Sequence, residues 1–386
     1  MSLRTRGRLV VASLIAVAVT TAGSPVAQAT TGGDGGRHHH AKPRVTVMTQ
    51  NLYLGSSLTP ALTATTPAAF VAAVAQIYGT AVFTNFPRRA EALAEVIATE
   101  RPDLVGLQEV TNWIAQPLVA GAAPAPASYD FLEILEAELA ERGLDYEVAA
   151  VSQNADIGPA PLVAPDFGCG PPTAPPTSQC VVTLQDRDVI LVNDDTRGLK
   201  VLRARTGDFV AQQQFLPPGQ TVPVSFARGW AYVDAKYRGA RFRFVNTHLE
   251  VEDFADVQEA QAAEFLAGPA RARGRVIAVG DFNSAADPAT TDIPTTTYAD
   301  LTASWFRDAW TVNGAAPGFT CCQSNMLTNP VSGLSKRIDL VLTHGAVRAR
   351  SAEVVNDDVI DSEPPLWPSD HAGVVAVLRL HRHRGH

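Results

Sequence analysis

The chain has 386 residues, of which 46% are hydrophobic and 18% are charged, and its formal net charge at pH 7 is −8. A chain of this length and composition can bury one large core or two modest ones. The negative charge argues against tight, nonspecific attraction to polyphosphate, although a local basic groove or bound cations can still admit a nucleic-acid substrate.

The first 29 residues have the pattern of a secretory signal peptide. Three arginines precede an apolar stretch from Leu9 to Ala22, and Ala27-Gln28-Ala29 supplies the small residues of a cleavage site. The apolar stretch is short for a membrane span, and no second candidate follows it. We therefore expect an exported, soluble protein without stable membrane insertion, whose formal charge becomes −11 when the three arginines are removed with residues 1–29.

After the signal peptide, the sequence predicts a single domain over residues 44–380, without internal repeats. A flexible Gly- and His-rich linker (30–43) precedes the domain, and a basic, His-rich tail (381–386) follows it. Two Pro-rich stretches inside the domain, 121–127 and 155–179, are predicted to be loops.

Strand-like and helix-like runs alternate along the domain. The predicted strands are 44–50, 103–110, 146–152, 188–192, 229–235, 241–249, 275–281, 338–343 and 372–380. The predicted helices are 88–100, 130–143 with Asp130 as N-cap, and 253–268. Alternating elements with several adjacent strand pairs indicate α/β layers around mixed sheets, and about nine strands favour two sheets packed face to face.

The stretch Val276 to Ser284, VIAVGDFNS, illustrates a pattern that recurs at the strand ends. Four apolar residues run into Gly280, which is typical of a buried strand that ends in a loop. Alternation along the extended chain turns Asp281 and Asn283 to one side and Phe282 to the core. A turn is the alternative explanation, because Asp and Asn commonly hydrogen-bond their own backbone there.

Five further strand ends carry polar residues, which are Asn51, Glu109, Asn246 with His248, Asp339, and Asp370 with His371. Taken singly, each has an ordinary explanation: Glu109 as a helix cap, His248 as a core histidine, Asp339 as an ion-pair partner of Lys336 or Arg337. Taken together they are harder to explain, since polar groups at the edge of buried strands are costly unless they are partnered.

The ordered motifs at these ends (N, QE, NTH, GDFN, RID and SDH) resemble the endonuclease/exonuclease/phosphatase superfamily, which includes deoxyribonuclease I. The resemblance extends from about Arg44 to Leu380. It implies a four-layer α/β sandwich, with two central mixed β-sheets packed face to face, helices outside, and the site at one edge of the sheets. It also implies hydrolysis of phosphate esters with a divalent cation, usually magnesium, for which manganese can substitute.

The resemblance also implies a role for each matching residue. For the metal, Glu109 corresponds to the principal carboxylate ligand, Asn51 to the amide beside it, and Asp370 to an acid that can approach the ion. Such hard oxygen ligands suit magnesium. The residues implied in catalysis are Asp281, which activates or positions water, Asn283, which binds the phosphate, Asp339, which orients His371, and His248, the second histidine of phosphodiesterase members.

These features predict a secreted, magnesium-dependent phosphodiesterase that acts as a monomer. A nuclease-type substrate is slightly favoured, although the sequence alone does not identify the substrate. Basic residues at 88–89, 186–188 and 335–337 could line a groove for nucleic acid. A phospholipid or sphingomyelin phosphodiesterase is the alternative, with Trp113 and Trp367 as candidate apolar docking residues. A non-catalytic exported binding protein on the same fold is the third reading.

The four cysteines fit an oxidising compartment. Cys169 and Cys180 can close a short Pro-rich loop. Cys321 and Cys322 are adjacent, so they pair either with each other or elsewhere, and the sequence does not decide between these pairings.

Overall fold

The computed structural model describes residues 43–119, 126–171, 173–174 and 179–381, which belong to one compact unit. The predicted signal peptide (1–29) lies outside the described residues, as do the predicted linker except residue 43 and the predicted tail except residue 381. Most of the predicted loop 121–127 also lies outside them.

The described residues form eighteen strands and six α-helices. The strands are β1 Arg44–Asn51, β2 Leu104–Gln108, β3 Asn112–Pro117, β4 Tyr129–Asp130, β5 Tyr146–Leu162, β6 Cys180–Asn193, β7 Leu199–Asp208, β8 Gln213–Phe215, β9 Val224–Phe226, β10 Gly229–Tyr237, β11 Ala240–His248, β12 Val276–Asp281, β13 Arg307–Asp308, β14 Asp339–His344, β15 Val347–Val355, β16 Asp361–Ser362, β17 Pro365–Leu366 and β18 Gly373–Leu380. The helices are α1 Thr59–Leu62, α2 Pro67–Phe83, α3 Phe86–Glu100, α4 Phe131–Glu141, α5 Ala255–Ala267 and α6 Thr297–Ser304.

Two mixed sheets form the centre of the molecule, as the sequence predicts. The first has the strand order β15-β18-β1-β2-β6-β3-β4, with β5 also paired to β6, and the second has the order β13-β14-β12-β11-β10-β7. Apolar side chains from both sheets, such as Val47, Phe244 and Val279, pack together between them. Helices α2, α3 and α4 cover the outer face of the first sheet, and α5 and α6 cover that of the second. The four-layer α/β sandwich is confirmed.

The strand directions bring the functional residues to one edge. β1 runs parallel to β2, and β11 runs parallel to β12, so the carboxyl ends of each pair lie together. β18 is antiparallel to β1, and β14 is antiparallel to β12, so these two strands begin where the others end. Residues at the ends of four strands and at the beginnings of two therefore meet at a single edge of the sandwich.

One predicted loop is partly wrong, and one helix is not predicted from the sequence. Residues 155–162, predicted as part of a Pro-rich loop, continue β5, which pairs with β6 as far as Leu162 opposite Cys180. Three register shifts interrupt this pairing, and such bulges let an edge strand tolerate proline. Helix α2, which has 17 residues, is not among the helices predicted from the sequence. In the described part of the chain no single helix is long and apolar enough to cross a membrane, although the bent pair of α2 and α3 meets that test jointly.

The helix start predicted at Asp130 is confirmed. The Asp130 carboxylate accepts hydrogen bonds from the backbone N–H groups of Leu132 and Glu133, at 3.0 and 3.3 Å. This N-cap satisfies two donors that the first turn of α4 leaves without a helical partner.

The cysteines pair in two different ways. Cys169 and Cys180 form the predicted disulfide, with a Cα–Cα distance of 5.3 Å, which joins the segment after β5 to the start of β6. The adjacent Cys321 and Cys322 are bonded to each other rather than to distant cysteines. Among the two pairings that the sequence left open, the structure has the vicinal one.

Asn246 ties the two sheets together. Its side-chain nitrogen donates to the carbonyl oxygens of Leu107 and Val189 at 2.9 and 3.1 Å, and its oxygen accepts from Gln108 Nε2 at 2.7 Å. Asn246 lies on β11 in the second sheet, while these three partners lie in the first. Gly106 makes room for the contact, because a Cβ atom there would lie 2.6 Å from Asn246 Oδ1. Asn246 is therefore a structural link between the sheets.

We expect Asn246→Ala to lower the free energy of unfolding by about 1–3 kcal/mol, since it removes three buried hydrogen bonds between the sheets. Urea denaturation of wild type and variant measures the change. Asn112→Ala, which removes one half-buried bond of 3.3 Å to Gln185, is the matched control, with an expected cost of about 0.5 kcal/mol. Equal losses in the two variants would contradict the role of Asn246.

Candidate active site

The structure brings all eight residues predicted for the site to the same edge of the sandwich. Asn51, His248 and Asp281 end their strands, Asp339 begins β14, and Glu109 follows β2 directly. The remaining three lie in the loops next to these ends and are Asn283, Asp370 and His371.

Asn51 links two of the carboxylates. Its side-chain nitrogen donates to Glu109 Oε1 and to Asp281 Oδ2, both at 3.1 Å, and its oxygen accepts the backbone N–H of Tyr53 at 2.8 Å. The other oxygen of Glu109 accepts from the backbone of Leu54 at 2.6 Å. The loop after β1 therefore holds the Glu109 carboxylate in place from two directions.

Asp281 and Asn283 form the turn that follows β12. Asp281 Oδ1 accepts the backbone N–H of Asn283 at 2.9 Å, while Phe282 is completely buried and contacts Phe265 edge to face. Asn283 has a left-handed backbone with φ of 48°, which a non-glycine residue rarely adopts. The turn interpretation and the site interpretation both hold, because the same turn places the Asp281 carboxylate and the Asn283 amide at the edge.

Burial raises the pKa of Asp281 to about 6, opposed by the neighbouring positive charge of His371 and assisted by the negative charge of Asp339. Asp281 is directly opposite Asp339 in the antiparallel pairing of β12 with β14. A carboxylate with a pKa near neutrality can gain or lose a proton at physiological pH, as a general base must.

His371 is held by two carboxylates. Its Nδ1 lies 2.8 Å from Asp339 Oδ2 and 3.8 Å from Asp281 Oδ2. Burial lowers the pKa of His371, but the charges of Asp339, Asp281 and Asp370 outweigh burial and raise it well above its ordinary value. The ring is therefore an imidazolium at neutral pH, with its Nδ1–H donated to Asp339 and its Nε2 turned toward Cys322 Sγ at 4.0 Å.

His248 has the opposite charge state. Burial and the adjacent guanidinium of Arg228 hold the pKa of His248 well below its ordinary value, so the ring is neutral. Arg228 Nη1 lies 3.0 Å from His248 Nδ1, and because an arginine can only donate, Nδ1 accepts and the ring proton resides on Nε2. Nε2 lies 3.5 Å from Asp281 Oδ2 and 3.1 Å from the side-chain nitrogen of Asn283.

Arg228 also lies at this edge, and it is not among the site residues predicted from the sequence. It immediately precedes β10, which pairs with β11 around a tight turn so that Trp230 is opposite Thr247. Extending that register two residues places Arg228 opposite Leu249, next to His248. The pairing of β10 with β11 therefore indicates that Arg228 lies beside His248, whereas no motif of neighbouring residues does.

The donor set fits a hard divalent cation. Burial, with the negative charges of Glu109 and Asp281, raises the pKa of Asp370 to about 7 against the positive charges of His371 and Arg89. Carboxylates crowded in this way are stabilised by a cation, and oxygen donors are those that magnesium prefers. Glu109 and Asp370 would hold such an ion, with Asn51 beside them; these three assignments stay predictions.

A second group, Asp281, Asp339 and His371, has side-chain ligand atoms that all lie within 4.8 Å of one another. Nδ1 of His371 already takes part in a hydrogen bond of 2.8 Å with Asp339 Oδ2. We therefore interpret this group as a hydrogen-bonded catalytic unit, distinct from the predicted metal ligands.

Comparison with known proteins agrees with this geometry. The model of the endonuclease/exonuclease/phosphatase family matches residues 48–371. Solved structures with a similar fold include the endonuclease/exonuclease/phosphatase from Beutenbergia cavernae DSM 12333, with 20% identity, coverage of 87% of this chain and 72% of that chain, and a TM-score of 0.52. A family protein from Bacteroides thetaiotaomicron has 17% identity, coverage of 89% and 99%, and a TM-score of 0.51. A search of curated proteins gives no match.

We expect the metal-free wild type to lose stability more steeply than Asp370→Asn as the pH rises from 5 to 8. The folded Asp370 has a raised pKa of about 7, so the folded state binds more protons than the unfolded state below that pH, and stability falls as this proton is lost. Asparagine does not titrate. Urea unfolding in EDTA at several pH values measures both slopes, with the exposed Asp253→Asn as control. Parallel slopes for wild type and Asp370→Asn would contradict the assignment.

Proposed function

Because the chain belongs to the endonuclease/exonuclease/phosphatase family of phosphoesterase-type hydrolases, we propose that it is an exported, metal-dependent phosphodiesterase that cleaves P–O bonds by attack of water. The observation that carries the proposal is the position of two histidines on either side of Asp281, with Arg228 against His248 and Asp339 against His371.

Asp281 is suited to orient the attacking water and accept its proton. Its pKa of about 6 leaves most of it ionised at neutral pH, and Asn51 and the backbone of Asn283 fix both of its oxygens. A positioned general base of this kind contributes roughly 10²–10⁴ in rate. The neutral His248, with its Nε2–H near Asp281 and Asn283, can donate a hydrogen bond to a phosphoryl oxygen without adding charge.

The charged His371 is suited to stabilise the phosphate or the leaving group. An imidazolium held by Asp339 can stabilise negative charge on a phosphoryl oxygen or protonate the departing alkoxide. A bound divalent cation such as magnesium, with manganese as substitute, would supply charge neutralisation at the phosphate. The carboxylates of Glu109 and Asp370 would hold the cation, while Asp281, His248 and His371 carry out the proton and hydrogen-bond chemistry.

A nucleic-acid phosphodiester is the first candidate substrate, following the resemblance to deoxyribonuclease I. The basic residues from which the sequence predicts a groove are already engaged, however. Arg187 pairs with Asp130, and Lys336 and Arg337 pair with Glu252 and Asp308 at 2.7 Å each. Arg89 is completely buried and donates to backbone carbonyl groups. We therefore expect recognition to centre on the cleaved phosphate itself.

A phospholipid is the second candidate, and a cavity favours it. The two tryptophans proposed for docking are buried, Trp113 at 3% and Trp367 at 5% exposure, so that expectation is wrong. Trp113 instead lines an apolar cavity of about 80 Å³ together with residues of α2 and of the β8–β9 hairpin. Trp113 Nε1 donates to the carbonyl of Leu54, and the N–H of Leu54 donates to Glu109. A single residue therefore contacts both a wall of the cavity and the predicted metal carboxylate.

A single panel of substrates tests the proposal. The purified protein with magnesium is offered plasmid DNA, RNA, sphingomyelin, glycerophospholipids and an inositol phosphate side by side. We expect at least one phosphodiester to be hydrolysed, EDTA to abolish the hydrolysis, magnesium or manganese to restore it, and Asp281→Asn to lower kcat by roughly 10²–10⁴.

Asp287→Asn, an exposed carboxyl six residues further along the same loop, is the matched control and should keep wild-type activity. Full activity in the presence of EDTA would contradict the proposed dependence on a metal ion. Hydrolysis confined to the inositol phosphate monoesters would replace the phosphodiesterase with a phosphomonoesterase, and binding without hydrolysis would indicate a non-catalytic binding protein.

A further inference from the structure

A cluster of buried polar atoms lies around Arg228, on the side of the His248 ring that carries Nδ1. In the described residues, eleven buried side-chain nitrogen and oxygen atoms have no hydrogen-bond partner in the protein, and seven of them are in this cluster. These seven are Ser152 Oγ, Asn154 Oδ1, Asp186 Oδ1, both carboxylate oxygens of Asp188, Arg228 Nε and Glu250 Oε2. Proteins rarely leave so many buried polar atoms without partners in one place.

The pairing of β5 with β6 brings four of these residues together. Ser152 is directly opposite Asp188, so their side chains are neighbours on one face of the sheet. The register shifts between Gln153 and Asp156, and the shifted segment carries Asn154. Asn154 Nδ2 donates to Asp186 Oδ2 at 3.3 Å, which leaves Asn154 Oδ1 and Asp186 Oδ1 available.

Gly229 forms the opposite wall of this space. A Cβ atom at Gly229 would lie 2.6 Å from Ser152 Oγ and 3.3 Å from Asn154 Oδ1, so both oxygens approach one point. Ser152 and Asn154 are 1% and 6% exposed. Two neutral, buried oxygen atoms without protein partners therefore approach Gly229, and their residues adjoin the two aspartates, Ser152 by strand pairing with Asp188 and Asn154 by its hydrogen bond to Asp186.

The charges of the cluster do not balance. Arg228 Nη2 lies 3.5 Å from Glu250 Oε1, and these two charges offset each other. Asp186 Oδ2 is 3.9 Å from Arg228 Nη1, and Asp188 has no cation of its own among the contacts of the described residues. Two buried negative charges remain, and such charges need a proton or a cation as partner.

We propose that Ser152, Asn154, Asp186 and Asp188 form a binding site for one calcium ion, separate from the predicted catalytic metal site. All available donors are oxygens, from two carboxylates, one amide and one hydroxyl, with no nitrogen or sulfur donor among them. Calcium accepts six to eight oxygen ligands in irregular geometry, including bidentate carboxylates, whereas magnesium keeps several waters in a strict octahedron. Its double charge matches the two aspartates.

The site would also fix Arg228. Asp186 contacts Arg228, and Arg228 contacts His248 Nδ1, so an ion held by Asp186 constrains the arginine that sets the tautomer of His248. Burial raises the pKa of both aspartates, that of Asp186 to about 6 with a contribution from the charge of Glu109, and that of Asp188 with a contribution from the charge of Asp186; a bound cation relieves such an environment.

Calcium binding to Glu109→Gln, in which the predicted catalytic ligand is removed, tests this site without any reference to activity. Isothermal titration of the chelator-stripped protein with calcium chloride should give one site, and calcium should raise Tm. In Glu109→Gln combined with Asp188→Asn, we expect the heat of binding and the Tm shift to disappear. Asp156→Asn, an exposed carboxyl on the neighbouring strand β5, is the control and should keep both.

Circular dichroism of each variant establishes that it is folded. Should Asp188→Asn fail to fold, Ser152→Ala in the Glu109→Gln background decides, with an expected loss of about tenfold in calcium affinity. The proposal is overturned if Glu109→Gln binds no calcium, which would leave ordered water as the partner of these oxygens. It is also overturned if a folded Asp188→Asn or Ser152→Ala variant binds calcium as tightly as its parent.

Discussion

Two buried carboxylates lie side by side at the centre of the candidate site, and the arrangement around them follows from that crowding. The pairing of β12 with β14 makes Asp281 and Asp339 direct neighbours, at 1% and 0% exposure. Two negative charges so close in a medium of low polarity need a positive partner. His371 supplies it, with its Nδ1 within 3.8 Å of both carboxylates. Because Asp281 and Asp339 belong to one sheet while His371 precedes β18 of the other, this contact also joins the two sheets at their functional edge.

The same physical rule separates the two histidines. His371 is surrounded by acids and is charged, whereas His248 lies against a guanidinium and is neutral, although both rings are buried. Asp281 lies between them, within 4 Å of each ring. In the proposed function the attacking water is deprotonated and the leaving oxygen is stabilised, and one carboxylate between a neutral and a charged histidine would provide for both steps. The identity of neighbouring charges, and not the histidines themselves, assigns these roles.

Much of this arrangement can be predicted from sequence, because it rests on local patterns. Buried strands appear in the sequence as apolar runs, and polar residues at their ends are conspicuous, so the two sheets and the polar residues that meet at their edge can be predicted. Helix α2 is missed because its sequence, PAAFVAAVAQIYGTAVF, is apolar nearly all round and lacks the amphipathic stripe of α3. The continuation of β5 through residues 155–162 is missed because prolines normally end strands, and bulges that tolerate them are not visible in sequence.

Contacts between distant segments are the other part that the sequence does not supply. Asn246 has the same kind of strand-end position as His248, yet it holds the sheets together and touches none of the site residues. The basic residues Arg187, Lys336 and Arg337 suggest a groove until their acidic partners are seen. The positions of Arg228, Asp186 and Asp188 relative to their neighbours follow only from the pairing of the strands. In each case the residue type is evident, and its partner depends on tertiary structure.

The central claim is that Asp339 acts through His371, and a double-mutant cycle on kcat tests it most directly. If the two residues act as one unit, Asp339→Asn combined with His371→Ala should cost little more than His371→Ala alone. Asp339→Asn by itself should also move the basic limb of the pH–rate profile to lower pH, because the imidazolium loses its negative neighbour and deprotonates more easily. A double variant whose activity falls by the product of the two single losses would show that Asp339 works independently of His371.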